Sequence, residues 1–269
     1  MAANGGSLRL MAVLAHPDDE SFGFGGTLAH YSAEGVETCV VTATRGESGR
    51  YGDGTDHPGP EALGRIREAE LRAAAAELGV GDVRLLGYPD GGLDRADPAE
   101  VIDRIVAELR RFRPHVVVTF SGDGSYGHPD HIAICQFTSA AVVRAAAPAP
   151  DGTAPHTVSK LYWMAWPKPK WDAYEAAFRH IVSTVDGVSR EPVVWPDWEV
   201  TTLIDTSDQW SRVWRAVLHH ESQLAIYGKL RDLPEAHHRA IWGSQEFYRV
   251  FSQVNGGRTR ESDLFAGLR

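Results

Sequence analysis

Two clusters of acidic and imidazole side chains carry the strongest chemical signal in the chain: His16-Pro17-Asp18-Asp19-Glu20 near the N-terminus and Tyr126-Gly127-His128-Pro129-Asp130-His131 near the middle. A hydrolytic centre of the zinc type asks for about three His or carboxylate ligands and one open position for water. His16, Asp19 and His131 can supply those three. A lone histidine reads more simply as a satisfied surface or core imidazole, which is the expectation for His30, His57, His115, His156, His180, His237 and His238. The clusters differ because carboxylates sit among the imidazoles, and buried carboxylates without a cation are costly.

For the clusters to act together, the fold must join them. Leu8 to Ala15 (LRLMAVLA) reads as a short buried strand that stops at His16-Pro17, and Phe24 to Tyr31 as a helix closed by Gly35. Val36 to Ala43 is a second apolar, β-branched strand, Glu61 to Leu78 a helix ended by Gly79, and Val83 to Leu86 a third strand. Asp97-Pro98-Ala99-Glu100 offers an N-cap, a first-turn proline and a capping-box acid for a helix to Phe112. His115 to Phe120 is the fourth strand, and Ile132 to Arg144 another helix.

This alternation predicts an α/β fold, a Rossmann-like, mostly parallel sheet flanked by helices. In the usual doubly wound order the first and fourth strands are neighbours across the switch point, where sites form at strand C-terminal ends. The first strand runs into His16 to Glu20 and the fourth toward Tyr126 to His131, so the clusters are expected to meet.

Ala145 to Pro155 reads as a Pro/Ala/Gly linker, and all eight tryptophans lie beyond it. Residues 1–150 are expected to form the catalytic core and 151–269 a smaller C-terminal α/β cap completing the pocket. In that cap Lys160 to Trp166 and Trp198 to Ile204 read as strands, and Ser207 to Ile226 as a helix started by Asp205/Thr206. No internal repeat is present.

Hydrophobic residues at 43% and charged residues at 23% exclude a disordered or fibrous chain. With 27 Lys+Arg against 36 Asp+Glu, a net charge of −9 argues against nucleic acid or anionic membrane as partner and for a small-molecule substrate. Two cysteines rule out a disulfide framework, and the N-terminal apolar run is too short for a membrane span or a secretory signal; a cytoplasmic protein is expected. Gly23-Phe24-Gly25-Gly26 is an incomplete dinucleotide fingerprint that would set two carboxylates where pyrophosphate belongs, so these glycines are expected to serve helix packing.

AHPDDE after the first strand and GHPDH after the fourth resemble the LmbE-like, or PIG-L, family of metal-dependent N-acetylglucosaminyl deacetylases, well over residues 8 to 145 and loosely beyond. The resemblance implies one divalent metal per chain, Zn²⁺ in preference to Fe²⁺, on His16, Asp19 and His131. It further implies Asp18 as general base, His128 as acid or electrostatic support, Asp130 as the carboxylate tuning His128, and Tyr126 as a mobile oxyanion donor. By the same resemblance Arg67 and Asp90 reach substrate hydroxyls, Glu70 pairs with Arg67, and His220 of HESQ lies near the pocket as a substrate-binding residue. Glu20 is expected to orient backbone or ligands.

The chemistry asks for these residue types independently. An amide is a poor electrophile: its carbonyl needs polarising, its attacking water needs a base, and its leaving amine needs a proton. Adjacent side chains project in different directions, so one of Asp18 and Asp19 binding and the other acting as base is the natural division. A tryptophan or tyrosine at the pocket rim suits a sugar face. The function so implied is hydrolysis of the N-acetyl amide of a GlcNAc-containing small molecule. Rival readings are an amidase of the same family cutting a larger N-acyl group or a thiol conjugate, and a non-hydrolytic nucleotide-binding module. A homo-oligomer is compatible with these readings.

Overall fold

The computed structural model describes residues 7–149, 152–178, 182–185, 187–257 and 259–269. Strand β1 (Arg9–Leu14) is buried along nearly its whole length, as a strand covered by helices on both faces must be. It leads through α1 (Asp19–Phe22) and α2 (Gly25–Ala33) to β2 (Glu37–Thr44). Helix α3 (Pro60–Leu78) begins with proline at its first position and ends at Gly79 in the left-handed conformation. After β3 (Asp82–Tyr88), helix α4 (Pro98–Phe112) is capped by the Asp97 carboxylate, which accepts from Ala99 N. Glu100 pairs with Arg104, 2.7 Å away along the helix. Strand β4 (Val116–Thr119) follows, then the single turn α5 (Gly124–Gly127) and α6 (Pro129–Ala145).

Beyond it come β5 (Lys160–Met164), α7 (Lys168–Phe178), the hairpin β6 (Ser183–Val185) with β7 (Val188–Arg190), and β8 (Thr202–Asp205). Helices α8 (Trp210–Leu218), α9 (Leu224–Tyr227) and α10 (Glu235–Trp242) precede β9 (Ser244–Ser252). The main sheet runs β3-β2-β1-β4-β5-β9-β8. β1 to β5 pair in parallel, whereas β9 is antiparallel to both β5 and β8. The region expected as a cap thus adds three strands to the same sheet, while α8 packs on α1, α2 and α3.

Two expectations are corrected. The strand placed from Trp198 starts only at Thr202, with Trp198 itself 81% exposed. The helix placed over Ser207 to Ile226 stops at Leu218, because His220 turns inward to full burial and the next residues bond elsewhere. Asp205 and Thr206 do not cap it: Asp205 accepts from Ser207 N and Thr206 donates to Trp242 O. Among the described residues no helix is long and apolar enough to cross a membrane. His180 lies outside the described residues. His115 and His156 act within the frame, His115 Nδ1 accepting from Arg9 N and His156 Nε2 lying 2.8 Å from Pro114 O.

At the end of the sheet opposite to the first cluster, Glu261 gathers a buried polar network. Its carboxylate accepts from Lys160, Tyr162, Thr202 and Asn255 at 2.6 to 2.9 Å and pairs with Arg249 at 2.8 Å. Burial alone would raise its pKa, but these donors hold it down to about 2.

Candidate active site

The chain leaving β1 makes its turn at Asp18, whose φ of 106° lies where residues other than glycine seldom go. Glu20 secures that turn by accepting the Asp18 N–H at 2.9 Å. Asp19 bends back over the strand end and accepts from His16 N at 2.8 Å and Ala15 N at 3.2 Å. The glycines that follow are packing positions, as expected: a Cβ on Gly26 would stand 2.7 Å from Thr206 Oγ1.

The second cluster hangs from β4 in a tightly wound loop. Gly124, Ser125 and Gly127 all have positive φ, and Ser125 is the one side-chain-bearing residue among them. A Cβ on Gly127 would stand 2.7 Å from the Arg190 side chain, so the loop passes only with glycine there. The segment after β7 clasps it. Arg190 donates to Gly127 O, Val193 N to Ser125 O, and Trp195 Nε1 to the Asp123 carboxylate. Helix α6 starts at Pro129, earlier than expected, which sets Asp130 and His131 in its first turn; His128 is its N-cap, Nδ1 accepting from Asp130 N at 3.2 Å.

Adjacency of β1 and β4 brings the two clusters together. His131 Nε2 lies 3.3 Å from His16 Nδ1 and 3.5 Å from Asp19 Oδ1, and His16 Nδ1 lies 3.6 Å from Asp19 Oδ2. Tetrahedral zinc with bonds of about 2.0–2.1 Å separates its ligand atoms by roughly 3.3 Å, a spacing the His16 and His131 nitrogens match, while the two rings approach different oxygens of Asp19. His16, His128 and His131 also present ring nitrogens all within 4.8 Å of one another. Phe120 stacks on the His131 ring at 3.9 Å and fixes its plane.

The Asp130 side chain makes no hydrogen bond to His128. Its carboxylate, fully buried, accepts from Gly91 N and Leu93 N and lies 3.3 Å from His16 Nε2. Asp90 Oδ1 lies 3.2 Å from the same nitrogen. A carboxylate on the outer nitrogen of an imidazole directs the other lone pair inward and raises its basicity. Asp130 therefore bonds to His16 and acts on His128 through its field alone, which raises that ring's pKa against the larger effect of burial.

The electrostatics separate the two aspartates. For Asp19, burial pushes upward, yet His131 and then His16 outweigh it and hold the carboxyl well below its usual range. For Asp18, burial raises the pKa against the pull of Arg67, and neighbouring Asp19 adds to the rise. Burial opposes charge on His16, but Asp130, Asp19 and Asp90 raise its pKa. His128 is pushed down to about 3 by burial and by the fields of His131 and His16, so it rests neutral rather than protonated. Burial raises the Tyr126 phenol, which keeps its proton.

A cavity of about 390 Å³ opens over this cluster, lined by Asp18, Asp19, Asp90, Tyr126, His128 and His131 among others. Of the expected substrate-binding residues, Asp90 faces it, with its other oxygen taken by Ser48 N at 3.0 Å. Arg67 also borders the cavity but is only 4% exposed, and its guanidinium is spent on Gly46 O, Pro17 O and Asp18 Oδ2. Glu70 does not pair with Arg67; it accepts from Ser222 N and Oγ, both at 2.7 Å. His220 is corrected outright: fully buried and absent from the cavity wall, it points at Glu20.

The cavity is also lined by Phe22, Met164, Trp166, Trp171 and Tyr174 and by Arg50 and Gln223; an aromatic at the pocket was expected from the sequence, but none of these residues was named. The tryptophan-rich second half was the available signal, although nothing in it specified which rings turn inward.

A model of the PIG-L family, described as GlcNAc-PI de-N-acetylase, matches residues 11–142. The 1D-myo-inositol 2-acetamido-2-deoxy-alpha-D-glucopyranoside deacetylase of Kineococcus radiotolerans is 35% identical, across 97% of this chain and 83% of its own. The chain belongs to the PIG-L family. Both the family description and the relative's name denote removal of an acetyl group from an N-acetylglucosamine-containing compound. Among solved structures, N,N'-diacetylchitobiose deacetylase from Pyrococcus horikoshii superposes with a TM-score of 0.67 at 22% identity, over 90% of this chain and 83% of that one. GalB, the 4-carboxy-2-hydroxymuconate hydratase of Pseudomonas putida KT2440, gives 0.66 at 20%, over 93% and 99%. These two likenesses establish the PIG-L fold, which also carries a chemistry other than deacetylation.

Proposed function

We propose that this PIG-L protein removes the acetyl group of 1D-myo-inositol 2-acetamido-2-deoxy-α-D-glucopyranoside, releasing acetate and the free amine. The observation that carries the reading is the convergence of His16 and His131, nitrogens 3.3 Å apart, on the two oxygens of Asp19 at 3.6 and 3.5 Å, in a cavity that Asp18 also lines. Those three residues would hold the metal, Zn²⁺ in preference to Fe²⁺; when bound, it polarises the acetyl carbonyl and lowers the pKa of water toward ~7.

The remaining steps belong to the chain. Asp18 accepts a proton as water oxygen bonds to the acetyl carbon, and its raised pKa suits that task. Because the Asp130 N–H points at His128 Nδ1, the neutral ring carries its proton on Nε2 and offers an N–H donor. That donor and the Tyr126 hydroxyl stabilise the developing oxyanion. When the C–N bond breaks, the proton held by Asp18 passes to the amine nitrogen. His16 is steadied by Asp130 and Asp90, and Asp90 would also meet sugar hydroxyls. In this division residues 1–150 supply the catalytic groups, and residues 151–269 supply most of the apolar surface, with Phe22, on which a ring face packs.

The test is to incubate metal-reconstituted protein with N-acetyl and longer N-acyl glucosamine derivatives, including the inositol glycoside, and to quantify free amine and acetate. The highest kcat/KM is expected for the inositol glycoside. Preference for a long acyl chain would replace it with the wider amidase reading, and no amine from any compound would overturn deacetylation.

A further inference from the structure

Behind Asp18 lies a pair of ionisable side chains that lines neither the cavity nor the metal cluster. Glu20 and His220 are both wholly excluded from solvent, and His220 Nε2 lies 2.7 Å from Glu20 Oε1, which also accepts from Ser21 Oγ at 2.6 Å. Removing a carboxylate and an imidazole from water costs about as much as their attraction returns, so apolar residues would serve stability equally well. His220 Nδ1 has no partner, which adds to the cost.

What the pair does achieve is local. The second oxygen of Glu20 takes the Asp18 N–H, at the one peptide of the site forced to a φ of 106° and a ψ of −27°. Arg67 grips the same turn from its other side, through Pro17 O and the Asp18 carboxylate. His220 is delivered by the break after α8. There Ser222 is tied to Glu70 and Gly52 N donates to Ser222 O, so the segment cannot slide along the helix axis.

We propose that Glu20 and His220 form a positioning device for the general base: His220 fixes the Glu20 carboxylate, and Glu20 holds the Asp18 peptide in the conformation that sets its side chain beside the metal cluster. They are positioning residues and touch no reacting atom. The inference rests on the assignment of Asp18 as base.

A double-mutant cycle on the metal-reconstituted enzyme tests it, with Glu20→Gln and His220→Ala each made alone and with Asp18→Asn. Each single substitution is expected to lower kcat by roughly 10- to 10²-fold, the usual range for residues behind a metal site, with KM and metal content retained. In the Asp18→Asn background neither should cost more than about twofold further, because residues acting as one unit are non-additive. His220→Gln, which keeps an N–H toward Glu20, should recover part of the loss. Equal losses in both backgrounds, or losses that track metal content, would overturn the proposal. Should Glu20→Gln fail to fold, the His220 variants decide alone. Hydrogen exchange at the Asp18 amide gives a readout that needs no substrate: protected in the wild type, it should exchange faster in His220→Ala, and unchanged exchange counts against the device. A wild-type protein that releases no amine fails the functional reading, and the exchange measurement then judges the pair by itself.

Discussion

The protein buries two charged networks at opposite ends of one sheet, and they are built differently. Around Glu261 every member is satisfied: the carboxylate has partners on both oxygens, and no atom of Lys160, Tyr162, Thr202, Arg249 or Asn255 is left buried without one. Around Asp18 the reverse holds. Arg67 Nε, Ser125 Oγ, His131 Nδ1 and His220 Nδ1 are buried and unpartnered, and, of the three positive-φ residues other than glycine among the described residues, Asp18 and Ser125 lie here. Satisfied networks stabilise; incompletely satisfied, strained ones mark places where something else must bind or react.

The contrast can be broken by substitutions that should act on activity at one end and on stability at the other. The largest effect is expected for His131→Ala: stoichiometric metal lost by elemental analysis, and kcat/KM down on the order of 10³-fold or more. Full metal content in that variant would remove His131 from the ligand set. Asp18→Asn should keep the metal and lose roughly 10²-fold or more in turnover, and near-normal turnover would exclude it as base.

Glu261→Gln sharpens the comparison from the other end. Its folded pKa of about 2 lies below the unfolded value of 4.5, so the ionised carboxylate contributes stability fully above about pH 4.5, lost as pH falls toward 2. The variant should unfold about 2 kcal/mol more easily at pH 7, with the gap to wild type closing over that acid window and kcat unchanged. A pH-independent gap in denaturant titrations would show that the charge is not what stabilises. Smallest is Tyr126→Phe, for which kcat should fall about 10-fold with metal affinity retained. An unchanged kcat would leave Tyr126 as packing.

The polar site was legible because its residues come in consecutive runs at strand ends: HPDDE and YGHPDH name nearly every group that faces the cluster. The parallel half of the sheet was legible for a related reason, since β1 to β4 are apolar runs separated by helices with visible caps such as Pro60, Gly79 and Asp97. Strand β9 had no such signature. Its SQEFYRVFS is amphipathic and buried chiefly near its start, and its place between β5 and β8 depends on partners far away in sequence. His220 and Glu70 were misassigned because a motif shows which residues are present, whereas side-chain direction depends on where a helix breaks, here after Leu218.

The adjacency of β1 and β4 also bears on how the enzyme comes to life. His16 and His131 stand 115 residues apart in sequence, so no short segment can gather the proposed ligand set before that parallel pairing forms. Small zinc modules fold around their ion; here the ion must come to a chain whose long-range topology is already complete. Metal supply should then govern the active fraction rather than the folding yield. A cell starved of the ion would hold a reserve of folded, silent protein, ready to start turnover upon replenishment without new synthesis.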